Sequence, residues 1–115
     1  MEKLDFTGTR LIVAGTCFID IDTILKAGDI IHNIEYKPDD EGNHFFEFSV
    51  EGSNERYMDS LMSWPLYDET YEHINEAIAI ETKMNNDMKD LAMIYREWAK
   101  NQPTFGNKVS KLLFS

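Results

Sequence analysis

Ile30-Ile31-His32-Asn33-Ile34-Glu35-Tyr36-Lys37 and, after a polar loop, Phe45-Phe46-Glu47-Phe48-Ser49-Val50 decide the fold class. In the first run Ile30, His32, Ile34 and Tyr36 alternate with Ile31, Asn33, Glu35 and Lys37. In the second, Phe46, Phe48 and Val50 alternate with Phe45, Glu47 and Ser49. Alternation at period two is the mark of a strand with one buried face. Pro38-Asp39-Asp40-Glu41-Gly42-Asn43 between them is rich in turn formers, so the two runs read as a hairpin over residues 30–50. A register that sets even positions opposite even positions buries one face and wets the other.

Upstream, Leu11 to Ile19 is apolar on both alternating faces, which suits a strand covered on both sides, with Gly15 as a point of bulge or close approach. Ile21–Leu25 reads as a short strand or a turn capped by Asp22, and Lys26-Ala27-Gly28-Asp29 as a turn. Downstream the period changes. Tyr57, Met58, Leu61 and Met62 make one face of a short helix after Ser53, and Pro65 ends it or opens the next one. From Asp68 to Lys100 the pattern is helical: Tyr71, Ile74 and Ile78, then Met84, Met88, Leu91, Tyr95 and Trp98. The two stripes fall out of phase near Asn85-Asn86, where a bend is expected. Lys111-Leu112-Leu113-Phe114 reads as a last short strand or a docking tail. Strands first and helices after them predict an α+β domain: an N-terminal antiparallel sheet of about four strands packed against C-terminal helices, one domain over residues 1–115.

Composition bounds the function. The chain has 115 residues, 43% hydrophobic and 12% aromatic, an ordinary globular balance. Its formal net charge is −10, spread over the body, while the last fifteen residues carry only Lys108 and Lys111. Such a body repels nucleic acid and anionic membrane and attracts basic surfaces. Cys17 is the single cysteine, so no internal disulfide forms. Met1-Glu2-Lys3-Leu4-Asp5 lacks the basic start and apolar run of a signal peptide, and no apolar run is long enough to cross a membrane. A cytoplasmic location is expected, in a cell or an infected host.

No residue set carries a catalytic pattern. His32, His44 and His73 form no metal-binding motif, and the hairpin register holds His32 and His44 roughly 17 Å apart. Asp20 and Asp22 stand on one side of an extended chain, a minimal pair for Mg²⁺ that suits a strand end equally well. Cys17 lies in the most apolar run, where a thiol is inert. Arg10 and Arg56 are the residues an anionic ligand would use. Neither a catalytic site, nor a metal, nor a cofactor is expected.

What remains lies on the surface. Asp68, Glu72 and Glu76 are spaced by four, with Glu69 beside them and no lysine or arginine between 68 and 81. On a helix these carboxylates stand about 6 Å apart along the axis, the scale of a phosphate row. Asp39-Asp40-Glu41 adds acid at a loop tip. Trp64, Tyr67 and Tyr71 cluster about Pro65 and offer aromatic anchors. The leading expectation is a non-catalytic acidic binding protein that engages a basic surface on a protein partner. Phage-encoded anti-defence inhibitors and toxin-immunity proteins are alike in size and charge. The contacts would be Asp68, Glu69, Glu72, Glu76, Trp64, Tyr67, Asp39, Asp40 and Glu41, with no direct nucleic-acid or membrane binding. The alternatives are a protein that sequesters a nucleotide or other small ligand, and an assembly component that forms a homodimer or higher oligomer through the 84–98 seam.

Overall fold

In the computed structural model, which describes residues 5–87 and 92–114, the hairpin of residues 30–50 forms in two registers rather than one. Its strands are β4 (Ile30–Tyr36) and β5 (Phe46–Val50), antiparallel. Near the loop, Tyr36 faces Phe46 and Glu35 faces Glu47, even opposite even as expected. Beyond Asn33 the partners are His32 with Ser49 and Ile31 with Val50. The single register expected is thus corrected by one residue. Asn33 sits in the left-handed region at φ 53°, which asparagine tolerates better than most residues. The extra residue is a β-bulge. Ile31 and Ile34, which an unbroken strand would point to opposite faces, are therefore both buried. His32 moves off the apolar face.

The opposite face of this pair is polar. Glu35 and Glu47 stand directly opposite each other, a like-charge pair that costs stability. Arg56, from β6 (Arg56–Asp59), lies across both carboxylates at 3.3 and 3.1 Å. Its Nη1 donates to the Asn33 carbonyl at 2.6 Å and to Ser49 Oγ at 3.0 Å. One guanidinium offsets the repulsion and satisfies the carbonyl that the bulge leaves unpaired.

β1 (Leu11–Val13) is the strand covered on both sides. It lies between β4 and β7 (Leu66–Asp68), and the sheet order is β6-β5-β4-β1-β7. Leu11 and Val13 join the main core with Ile31, Phe46, Phe48 and Leu66, while Ile12 packs on the far side against Ala14, Tyr67 and Ala77. The apolar run does not continue as one strand to Ile19. After Ala14, whose N–H donates to the Pro65 carbonyl at 2.8 Å, the chain leaves the sheet. Cys17–Phe18 (β2) then pairs with Ile24–Leu25 (β3) as a separate two-stranded hairpin.

The second half departs further from expectation. Residues 57–59 are strand, not helix: Tyr57 faces Phe48 and Asp59 faces Phe46. A free edge on β5 outweighs the helical spacing of four apolar residues. Three helices follow, α1 (Ile74–Asp87), α2 (Ala92–Lys100) and α3 (Phe105–Phe114). Ile74 and Ile78 of α1 and Trp98 of α2 pack on the same three buried residues. A straight helix would hold residues 74 and 98 about 36 Å apart, so α1 and α2 are not parts of one straight helix. The 84–98 seam falls largely outside the described residues, Met88 and Leu91 entirely so. Trp98 faces inward to the second cluster. The tail expected as a last short strand or a docking tail is the end of α3, a helix whose Phe105 and Val109 seal the main core.

α3 approaches the turn between β6 and β7 closely at one point. A Cβ built on Gly106 would lie 2.0 Å from the backbone carbonyl oxygen of Met62. Backbone cannot retreat as a side-chain tip can, so Gly106→Ala should cost on the order of 3 kcal/mol, read as a lower urea midpoint. An unchanged midpoint would mean that α3 docks elsewhere.

Candidate functional site

The acidic strip is real in sequence but is not a helical ladder. Asp68 ends β7, and its Oδ1 accepts from the backbone N–H of Thr70 at 3.0 Å as well as from the Thr70 hydroxyl. These bonds, the hydroxyl first, hold its carboxyl below the usual range. Tyr71 then stacks on Tyr67 with ring centroids 5.0 Å apart and planes 9° from parallel. Tyr71, expected on a helical stripe with Ile74 and Ile78, thus lies in the turn that leads into α1. Among the four acids, Glu69 pairs with Arg10 at 2.8 Å. Glu72 and Glu76 flank His73 at 3.5 and 3.3 Å, with their side chains 85% and 74% exposed.

The hairpin tip is shaped before any partner arrives. Asp39 Oδ1 accepts from the backbone N–H groups of Glu41 and Asn43 at 2.9 and 2.8 Å, and Oδ2 from the Asn43 side-chain amide at 2.8 Å. The Asn43 bonds lower the Asp39 pKa. Asp39 therefore builds the loop, and Asp40 and Glu41 are displayed on it, all three exposed.

The aromatic residues divide. Tyr67 is fully buried between β1 and α1, and its hydroxyl has no hydrogen-bond partner, so it does not serve as a surface anchor in this state. Its alternation with Leu66 along β7 sends it into the second cluster while Leu66 enters the first. Burial pushes its pKa up, with Glu81 and Tyr71 adding to the shift. Trp64 is half-buried, meets Phe48 edge-to-face at 6.0 Å, and plugs the junction between sheet and helices.

The cations named for an anionic ligand are engaged. Arg10 bridges Glu51 and Glu69, and these hydrogen bonds, Glu51 first, raise its pKa. Arg56 bridges Glu35 and Glu47. The cleft beside Arg56, about 420 Å³, is lined by Phe6, Asn33 and Ser49 among others, and carries Glu35 as well. A phosphate there would have to displace carboxylates. Asp20 and Asp22 lie in the turn of the β2–β3 hairpin. Among the described residues, no three His, Cys, Asp or Glu side chains gather as a metal site would require. Cys17 is buried, and desolvation pushes its thiol up to about 12, so it is not a thiolate at neutral pH.

The last acid of the 68–81 run, expected on the surface, is buried instead. Glu81 is only 9% exposed and is the one buried charged side chain among the described residues, with no hydrogen-bond or ion-pair partner there. It lines a second cleft, about 390 Å³, with Trp64, Pro65, Arg96, Lys100, Thr104 and Asn107. Burial raises its pKa. The signal was its spacing: Glu81 falls three residues after Ile78, on the apolar stripe of α1.

A carboxyl whose folded pKa is raised binds its proton more tightly folded than unfolded. Its contribution to stability is full below the ordinary glutamate value of about 4.3 and is lost as pH rises through the raised value. Glu81→Gln should therefore raise stability at pH 7 by on the order of 1 kcal/mol and flatten the slope above about pH 4. Urea midpoints between pH 4 and 8 would show this. Loss of stability at pH 7 would mean that the carboxylate has a partner in solution.

No protein-family model, curated protein or solved structure matches this chain.

Proposed function

We propose that the protein is a non-catalytic binder, of the inhibitor or immunity type, that engages a basic surface on a protein partner. The observation that carries this reading is the division of charge on the surface. Arg10 and Arg56 are each held by two of the protein's own carboxylates, whereas Glu72, Glu76, Asp40 and Glu41 project with no lysine or arginine against them among the described residues. Exposed charges of one sign steer encounter with the opposite sign and set partner choice more than they set affinity. Glu72 and Glu76 sit on a turn and first helical turn fixed by the Tyr67–Tyr71 stack. Asp40 and Glu41 sit on the loop that Asp39 organises. The backbone beneath both groups is already held, which lowers the cost of association to that of ordering the side chains. The same charge opposes direct contact with nucleic acid or an anionic membrane.

A small-ligand role is favoured by one feature, the Glu81 cleft, whose volume lies within the range of ligand sites. Its ligand would meet Glu81 and Arg96 rather than the two engaged arginines.

The test is affinity capture from extracts of cells that make the protein, with Glu72→Lys, Glu76→Lys, Asp40→Lys and Glu41→Lys combined. The reading expects one retained protein in wild type, lost in high salt and reduced at least about tenfold by the reversal. Capture that is unchanged by the reversal and by salt would refute it.

A further inference from the structure

The β2–β3 hairpin stands outside the five-stranded sheet and has two unlike faces. Cys17 and Leu25 pair across it and are buried in the main core, which anchors the arm. Phe18 and Ile24 pair on the other face and are 67% and 45% exposed. Ile21, at the tip, is 94% exposed. Single exposed apolar residues are ordinary, but three of them on one nine-residue arm make a patch, and its solvent face lacks the polar alternation of a wetted strand.

The tip is held in shape. Asp20 Oδ1 accepts from the Asp22 backbone N–H at 2.8 Å, and the Ile19 N–H donates to the Thr23 carbonyl at 3.0 Å. Ile21 is thus presented between two exposed carboxylates. Those carboxylates select the occupant. A second copy would bring its own aspartates against these across a body of charge −10, and an anionic bilayer would be repelled in the same way. An apolar site rimmed by lysine or arginine satisfies both parts of the tip.

We propose that the arm is a docking plug: Ile21, with Phe18 and Ile24 behind it, enters an apolar pocket on a partner protein, and Asp20 and Asp22 meet a basic rim. The proposal rests on the binder reading above and assigns it a contact centre. It is distinct from the Glu72–Glu76 surface.

The test uses the full chain with a photo-crosslinking benzophenone amino acid in place of Ile21, in extract of cells that make the protein. The crosslinked peptide is then sequenced. Two variants accompany it in capture experiments. Phe18→Thr with Ile21→Ser and Ile24→Thr removes the plug and keeps the charge. Asp20→Asn with Asp22→Asn keeps the plug and the turn acceptor. All five of these side chains are exposed and the buried Cys17–Leu25 pair is untouched, so thermal melting should be unchanged and would reveal a folding defect. The expected result is a crosslink to one protein, on a segment with apolar residues beside lysine or arginine, and at least tenfold weaker capture by either variant. A crosslink to a second copy of the chain, co-sedimentation with phosphatidylglycerol vesicles in its place, or no crosslink above background would overturn the proposal. Capture that survives the arm variants but fails on reversal of Glu72 and Glu76 would also overturn it while leaving the binder reading intact.

Discussion

Asn33 in the left-handed conformation, and the guanidinium of Arg56 bonded to its carbonyl, reconcile two requirements that one straight strand cannot meet. Near the loop, β4 must turn Ile34 and Tyr36 inward against Phe46. At its other end it must turn Ile31 inward against Val50, beside Leu11 of β1. Side chains alternate strictly, so a single register would expose one of the two sets. The inserted residue switches the phase. β1 can then be the strand shared by two clusters, with Leu11 and Val13 on one side and Ile12 on the other. The helices follow from that, α3 on the main core and α1 with Trp98 on the second cluster.

The same arrangement shapes the surface. Closing the bulge takes up Arg56, and tying the start of β1 to the turn after β5 and to the end of β7 takes up Arg10. Two strong, bidentate cations of an already acidic chain are thereby neutralised at home. The acid left over is displayed on preformed turns. The scaffold's own electrostatics, and not composition alone, make these turns good candidates for meeting a basic partner.

Legibility in the sequence tracked how local each signal was. The 30–50 hairpin was readable because period-two alternation and a Pro-Asp-Asp-Glu-Gly-Asn turn are local facts. So was the double covering of Leu11–Val13. The bulge was not, because an asparagine in a polar slot looks the same whether it continues the strand or interrupts it. The helix expected from Asp68 starts later: Tyr71 has helical spacing to Ile74 and Ile78, but it lies in the turn before α1 and meets Tyr67 by stacking. Residues 57–59 failed because two apolar residues in a row fit either period, and the open edge of β5 decided between them. Acidity was legible as an amount, while its placement depended on which carboxylates meet an arginine distant in sequence. Glu51 lies 41 positions and Glu69 lies 59 positions from Arg10.

The phase switch at Asn33 is measurable in solution without a ligand or partner. Cross-strand nuclear Overhauser effects between the backbone protons of β4 and β5 report register residue by residue. The account requires Tyr36 opposite Phe46 and Glu35 opposite Glu47 on one side of Asn33, and His32 opposite Ser49 and Ile31 opposite Val50 on the other. An unbroken ladder, with either pair of contacts replaced by partners one residue away, would contradict it.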